Sequence, residues 1–359
     1  MTQPSPHDSH GGPAQPKPRR PRRIMRLAKW GLALTVLFIA LLMFAGFVYE
    51  QFALARIATN YPPSGELVDV EGRQIHMHVQ GHGSPTVIFE AGLGEFSLGW
   101  HHVAAEVAQS TQVITYDRAG LGWSDPAPAP RDSDAVVQDL HAALQAQGIA
   151  GPYVLVGHSI GGVHVRMFSY RYPEEVKGIV LVDSSHEEQW ETFPPTVREQ
   201  FEQVQEMLWL FSQTARFGLV RLLDSDEEND ESNIPKSIRS TQTALSARHS
   251  QLTAVAEEMA ALLPSMRQTA DAAIPWGDLP LEVLSAGKPM ETTGETDAME
   301  ISQIWEKLQR DLASRSTHSK HQTLEDAGHY IQNDRPDVVI DAVLRVVEQA
   351  KNGSPPNAK

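Results

Sequence analysis

From about residue 66 onward, short runs of β-branched and apolar residues alternate with stretches whose apolar positions recur at helical spacing. Glu66–Val70 and residues 74–80 read as two strands flanking the turn Glu71-Gly72. Further β-rich runs follow at Thr86–Glu90, 112–117, 153–157, 178–183, Leu281–Ala286 and, more polar than the rest, 321–325. Four of these contain VIF, VIT, VLV and IVLV, the near-continuous apolar runs of strands buried on both faces. Helical patterns lie between them at 100–109, 133–147, 160–170 and 336–351. Strands alternating with helices predict an α/β fold with a doubly wound, mostly parallel sheet, and the first two strands form an antiparallel hairpin at one end.

One interval departs from this rhythm. Residues 187–278 offer helical periodicity but no strand, so they read as a helical insertion between the sixth and seventh strands, with helices expected at 206–223 and 252–266. Connecting loops of such sheets gather at the C-terminal ends of the strands, so the insertion is expected there as a cap. Its Trp190, Phe193, Phe201, Trp209, Phe211 and Phe217 either line an apolar pocket or form the core of the cap. The acidic run at 224–231 reads as a solvated loop.

Upstream the pattern changes again. Residues 30–49 read WGLALTVLFIALLMFAGFVY, twenty residues without a charge, and at about 1.5 Å per residue they span roughly the 30 Å of a hydrocarbon core. We read 27–49 as a transmembrane signal-anchor helix, with a disordered basic tail at 1–26, the main domain at 60–351 and a flexible tail at 352–359. The competing reading is a cleaved secretory signal, for which Ala53-Leu54-Ala55 offers a small-x-small site. The apolar stretch is longer than the usual 7–15 residues of such signals.

Composition sharpens this picture. Lys and Arg number 30 and Asp and Glu 45, for a net charge of −15. Residues 1–49 hold seven basic residues against Asp8 alone, so that segment is +6 and the remainder −21. By the positive-inside rule the N-terminus stays cytoplasmic and the main domain is extracytoplasmic. A body this acidic would be repelled by phosphate backbones, which excludes nucleic acid as an expected partner. There is no cysteine, so a disulfide scaffold is excluded as well.

The candidate chemistry centres on Gly157-His158-Ser159-Ile160-Gly161-Gly162, a G-x-S-x-G turn between an apolar strand and a helix. The turn is so tight that a Cβ at Gly157 or Gly161 would collide with its neighbours, and Ser159 is held strained with Oγ outward. A serine hydroxyl needs a base. Of the fifteen histidines only His329 follows every candidate strand and sits in a loop, Asp326-Ala327-Gly328-His329, whose glycine permits an exposed turn. His76 and His78 share one strand face, but an H-x-H pair without a third ligand is a poor metal site.

These residues, together with Glu90-Ala91-Gly92-Leu93-Gly94 and Tyr116-Asp117-Arg118-Ala119-Gly120-Leu121-Gly122-Trp123-Ser124-Asp125, give the chain from about 68 to 347 a resemblance to the α/β-hydrolase family. The resemblance implies a serine hydrolase of the carboxylesterase or lipase type, with a Ser-His-Asp triad, an acyl-enzyme, and no metal or cofactor. It implies that the backbone amides of Leu93 and Ile160 form the oxyanion hole, and that the segment from Tyr116 to Asp125 is a structural brace. The acid is usually carried after the seventh strand, where this chain has Lys288. Asp183, at the end of the sixth strand, is therefore preferred, with Asp297 and Glu291 as alternatives, and His186 is expected to line the same pocket. The substrate expected is a small acyl compound, and a cap helix close to the bilayer could touch lipid. An aminopeptidase or amidase, a cofactor-free haloperoxidase-type enzyme and a membrane-tethered pseudo-hydrolase are the other readings. Dehalogenase and epoxide-hydrolase chemistry in that family requires Asp at the elbow, where Ser159 stands.

Overall fold

In the central strands successive side chains alternate between two apolar layers, which is what a sheet covered on both faces requires. The computed structural model describes Met1 and residues 22–223, 234–288 and 295–353. Its strands are β1 (Glu66–Val70), β2 (Arg73–Gln80), β3 (Thr86–Glu90), β4 (Val113–Tyr116), β5 (Tyr153–His158), β6 (Val176–Val182), β7 (Leu281–Ala286) and β8 (Ser319–Leu324). They form one sheet in the order β1-β2-β4-β3-β5-β6-β7-β8. The β1–β2 and β2–β4 pairs are antiparallel and all others parallel.

The helices are α1 (Arg22–Asn60), α2 (His101–Val107), α3 (Ser133–Ala146), α4 (Ile160–Arg171), α5 (Gln189–Thr192), α6 (Pro195–Ala215), α7 (Leu219–Leu223), α8 (Lys236–Ser246), α9 (His249–Ala260), α10 (Leu262–Ala272), α11 (Glu295–Ser314), α12 (Ile331–Asp334) and α13 (Pro336–Asn352). On one face Ile88, Ile114, Leu155, Ile179, Leu181 and Val283 pack with Val137 and Leu140 of α3 and Val165 and Phe168 of α4. On the other, Val87, Val154, Val156, Val180 and Leu284 meet Val103 of α2 and Val339, Val343 and Val346 of α13. The strand ends carrying Glu90, His158 and Val182 lie in one row, fixed by the registers Glu90 to Gly157 and His158 to Val182.

Helices α5 to α10 occupy the interval between β6 and β7. The helices expected at 206–223 and 252–266 are each divided, the first into α6 and α7 at the turn through Gly218 and the second into α9 and α10 at Ala261. Two further elements differ from the sequence reading. The first is α1, a single 39-residue helix that begins before residue 27 and runs eleven residues past Tyr49. Nothing in that extension breaks a helix until Pro62-Pro63, and one of its faces packs on the domain. It is also the one helix among the described residues long and apolar enough to cross a membrane. The second is α11, in a stretch to which the sequence reading assigns no element. Its apolar residues Ile301, Trp305, Leu308 and Leu312 are buried at spacings of three and four, between polar residues that dilute the signal. Most of the expected basic tail, the acidic run at 224–231 and residues 354–359 lie outside the described residues.

Central burial sets the expected sensitivity of the fold. Leu181 is fully buried on β6, whereas Leu67 on the outer strand β1 is 46% exposed. Leu181→Ala should cost about 2–5 kcal/mol, and Leu67→Ala should stay within about 0.5 kcal/mol of wild type, in guanidinium unfolding of the full chain followed by tryptophan fluorescence.

Candidate active site

Ser159 joins β5 to α4 with φ 54° and ψ −124°, a conformation that L-residues rarely adopt and that costs on the order of 1–3 kcal/mol. Its amide is fixed by the Val182 carbonyl at 3.1 Å, and its own carbonyl accepts from Gly162 and Ser185 at 3.0 Å. The glycines are dictated by backbone approach. A Cβ on Gly161 would stand 2.6 Å from the carbonyl oxygens of Glu90 and Ala91, and one on Gly157 would stand 2.6 Å from that of Gly161. The helix α4 therefore starts directly against the end of β3.

A cavity of about 850 Å³ opens at this turn, within the size range of small-molecule sites. Ser159, Ile160, Leu93, Asp183 and His329 all line it. His329 Nδ1 lies 2.6 Å from Asp183 Oδ2. A carboxylate only accepts, so Nδ1 carries the proton and Nε2 keeps its lone pair in the neutral ring. The other oxygen, Oδ1, accepts from the Ala286 amide at 2.9 Å and from Trp305 Nε1 of α11 at 2.8 Å. Asp183 is itself at φ 41°, so the chain turns sharply to aim this carboxylate, and its oxygens are held by β7, α11 and His329. Of the alternative acids, Glu291 lies outside the described residues and Asp297 sits on the first turn of α11.

Trp190, Phe193 and Phe201 line the cavity with Leu262, whereas Trp209 and Phe211 are exposed and Phe217 is half-buried away from it. His186 is absent from the lining. Its Nε2 is 2.9 Å from Asp311 Oδ2, in a cluster with Glu187 and Arg315 that holds it off the pocket. His76 is buried with Nδ1 2.9 Å from Asp117 Oδ2 and Nε2 accepting from the Gly65 amide, so both nitrogens are committed to fold contacts. Among the described residues no group of three or more His, Asp and Glu side chains is placed to hold a metal ion.

Two groups that motif spacing did not single out shape the site. His158, beside Ser159, directs Nδ1 to Glu95 Oε2 and Nε2 to the His329 carbonyl, each at 2.9 Å. Both partners are acceptors, so the arrangement favours the ring with a proton on each nitrogen, the imidazolium. Burial alone would lower its pKa, but the Glu95 carboxylate and the His329 carbonyl raise it above the ordinary histidine value. Burial would likewise raise Glu95, yet the charge of His158 and the Gly92 amide hold it below the usual carboxylate range. Arg118, fully buried, bonds Glu90 at 2.7 Å, the carbonyls of Ala91 and Gly92 at 2.7 Å, and both oxygens of Glu258 on α9 at 2.6 and 2.8 Å. Tyr116 donates to the other Glu90 oxygen. Glu258 also accepts from the Gly94 amide, so the loop carrying Leu93 is fastened on both sides.

A family model described as the α/β hydrolase fold matches residues 85–336. Among curated proteins, YqjL of Bacillus subtilis is 26% identical over 278 residues, covering 77% of this chain and 89% of that protein. YbdG of the same organism is 28% identical over 173 residues, covering 48% of this chain and about half, 52%, of YbdG. Among solved structures, the Cif epoxide hydrolase of Acinetobacter nosocomialis superposes with a TM-score of 0.62 at 15% identity, covering 84% of this chain and 96% of that one, a likeness of fold.

The Glu95–His158 pair makes a pH-dependent contribution to stability. The raised histidine contributes fully below its ordinary value of 6.5 and is lost as pH rises through its folded value, while the depressed carboxyl contributes above its ordinary value of 4.5 and is lost as pH falls through its folded value. The difference in melting temperature between wild type and Glu95→Gln should therefore be widest between these two pH values and narrow on either side. Differential scanning fluorimetry of both proteins across the range checks this, and a difference independent of pH would contradict it.

Proposed function

The chain belongs to the α/β-hydrolase fold family, and on that footing we propose that it is a serine hydrolase that cleaves acyl esters. Ser159 is the nucleophile, His329 the general base, Asp183 the acid that orients it, and the amides of Leu93 and Ile160 the oxyanion donors. The observation that carries this reading is the 2.6 Å contact between His329 and Asp183 on the wall of the cavity that Ser159 enters from its strained turn.

With Nδ1–H committed to Asp183, Nε2 of His329 takes the proton from Ser159 Oγ as Oγ attacks the acyl carbonyl carbon. The carbonyl oxygen becomes an oxyanion opposite the Leu93 and Ile160 amides, where the N-terminal end of α4 adds its positive potential. Collapse expels the alkoxide, which takes the proton from Nε2 and leaves as the alcohol. Water then gives a proton to Nε2 and adds its oxygen to the acyl carbon. Ser159 departs reprotonated and the carboxylic acid is released. The aromatic lining of the cavity suits an apolar acyl or alkyl group.

Serine also limits the alternatives. Attack by Ser159 Oγ on an epoxide would give an ether, which has no carbonyl for water to enter, so epoxide opening would leave the residue blocked. We further propose that α1 is an uncleaved single-pass anchor with its N-terminus cytoplasmic and the catalytic domain extracytoplasmic. Its basic flank supports that orientation.

Fluorophosphonate labelling of wild type, Ser159→Ala and Asp183→Asn tests the roles side by side. Wild type should label and Ser159→Ala should not. Asp183→Asn should label more slowly by about 10⁴-fold, the loss typical of an orienting acid. A wild type that never labels would mark a binding protein. Full labelling of Asp183→Asn would move the acid to the segment around Glu291 and Asp297. Faster turnover of aminoacyl anilides than of p-nitrophenyl esters would favour a peptidase.

A further inference from the structure

The extension of α1 beyond its apolar run is not a free linker. From Gly46 on, the covered positions are Gly46, Val48, Glu50, Ala53, Leu54 and Ile57, and all of them except Val48 fall on one face of a helix. Ile57 packs with Phe96, Leu98 and Leu121 of the main domain. Glu50 is 2% exposed and accepts from Arg221 Nη2 at 3.0 Å and Nε at 3.1 Å. The turn after α6 presses closer still. A Cβ on Gly46 would stand 2.4 Å from the Phe217 carbonyl oxygen, and one on Gly218 would stand 2.7 Å from the Tyr49 ring.

These contacts fix a height. The charge-free run ends at Tyr49, and Gly46 lies about 4.5 Å below it along the axis. The turn at Phe217 and Gly218 and the start of α7 are therefore pinned to the last turn of the apolar segment. At this level α7 presents Leu219, Leu222 and Leu223, the last two 65% and 66% exposed, and the adjoining end of α6 presents Leu210 and Phe211. Single exposed leucines need no explanation, but four leucines and a phenylalanine beside the end of a span form a patch whose surroundings at that depth are lipid.

We propose that α7 and the C-terminal end of α6 form a second bilayer contact, seated at the headgroup and acyl boundary of the leaflet nearer the domain. The inference rests on α1 crossing the membrane and adds that the insertion between β6 and β7 lies on its surface. The occupant of the patch is lipid and not a second copy, because the rigid union with α1 places the patch at membrane depth in every molecule.

The chain has no cysteine, so single-cysteine variants of the full-length protein carry one label each. Leu222→Cys and Leu210→Cys are labelled with an environment-sensitive nitrobenzoxadiazole dye in phosphatidylcholine and phosphatidylglycerol nanodiscs. Phe38→Cys in mid-span and Glu174→Cys, exposed on the turn before β6, serve as references. Lipids spin-labelled at the headgroup, near the carbonyl end of the chain or at its distal end then act as quenchers. The proposal expects Leu222→Cys and Leu210→Cys to be blue-shifted and to lose most of their emission to the headgroup and carbonyl-end labels. Phe38→Cys should respond to the distal label and Glu174→Cys to none. Quenching at Phe38→Cys without quenching at Leu222→Cys and Leu210→Cys leaves the span standing and overturns the docking. A blue shift there without lipid quenching assigns the patch to a second copy and also overturns it. No quenching at Phe38→Cys removes the span and this inference with it.

Discussion

A guanidinium with no access to water must be surrounded by acceptors, and Arg118 is surrounded by two carboxylates and two carbonyls. Removing one partner of such a buried charge typically costs about 3–5 kcal/mol, so the groups around it are held as a unit. Those groups come from three places in the chain. Glu90 ends β3, the carbonyls of Ala91 and Gly92 begin the loop carrying Leu93, and Glu258 belongs to α9 of the insertion. The position of that loop over Ser159 is thus tied to a charge balance some distance from the cavity. Burial pushes the Glu90 carboxyl up, and Arg118 and Tyr116 work against that shift.

The sheet was legible because its central strands are buried on both faces, and continuous apolar runs such as those of β3, β5 and β6 have few other interpretations. The edge strand β8 gave a fainter signal for a physical reason. Its pattern of exposed and half-exposed residues, Ser319 to Thr323, carries little apolar bias, and its existence depends on pairing with β7. Two of the departures, α1 past Tyr49 and the whole of α11, share a cause. Both are helices whose apolar stripe is narrow and whose stability comes from docking, which local periodicity does not report.

The site divides in the same way. Ser159 stood out because the turn forces glycines at fixed spacing, and His329 because of its place after all the strands. The neighbour of His329 was far less evident, since Asp183 is 146 residues away in sequence and reaches it only through the parallel packing of β6 and β7. The two donors to its other oxygen, Ala286 and Trp305, carry no sequence pattern that identifies them. His158 was visible as the variable letter of a motif, yet its charge state follows only from the two acceptors that face it. His186 illustrates the converse error. Proximity in sequence to Asp183 suggested the pocket, but an ion cluster with Asp311 and Arg315 takes the side chain elsewhere.

The bonds at Asp183 and at Glu258 have different owners. Asp183 is held by β7 and α11, which follow the insertion in the chain, whereas the amide of Gly94 is held by Glu258, which lies within it. A descendant of this protein could therefore remodel α5 to α8 and keep the contact between Asp183 and His329, provided that the packing of Phe193 on Trp305 is preserved. It could not exchange α9 so freely, because a replacement without a carboxylate at that point would release the loop beside the serine and leave Arg118 half unpaired. Diversification of this scaffold is accordingly channelled. The front of the insertion answers to packing alone, while one turn of α9 is inherited along with the loop beside Ser159.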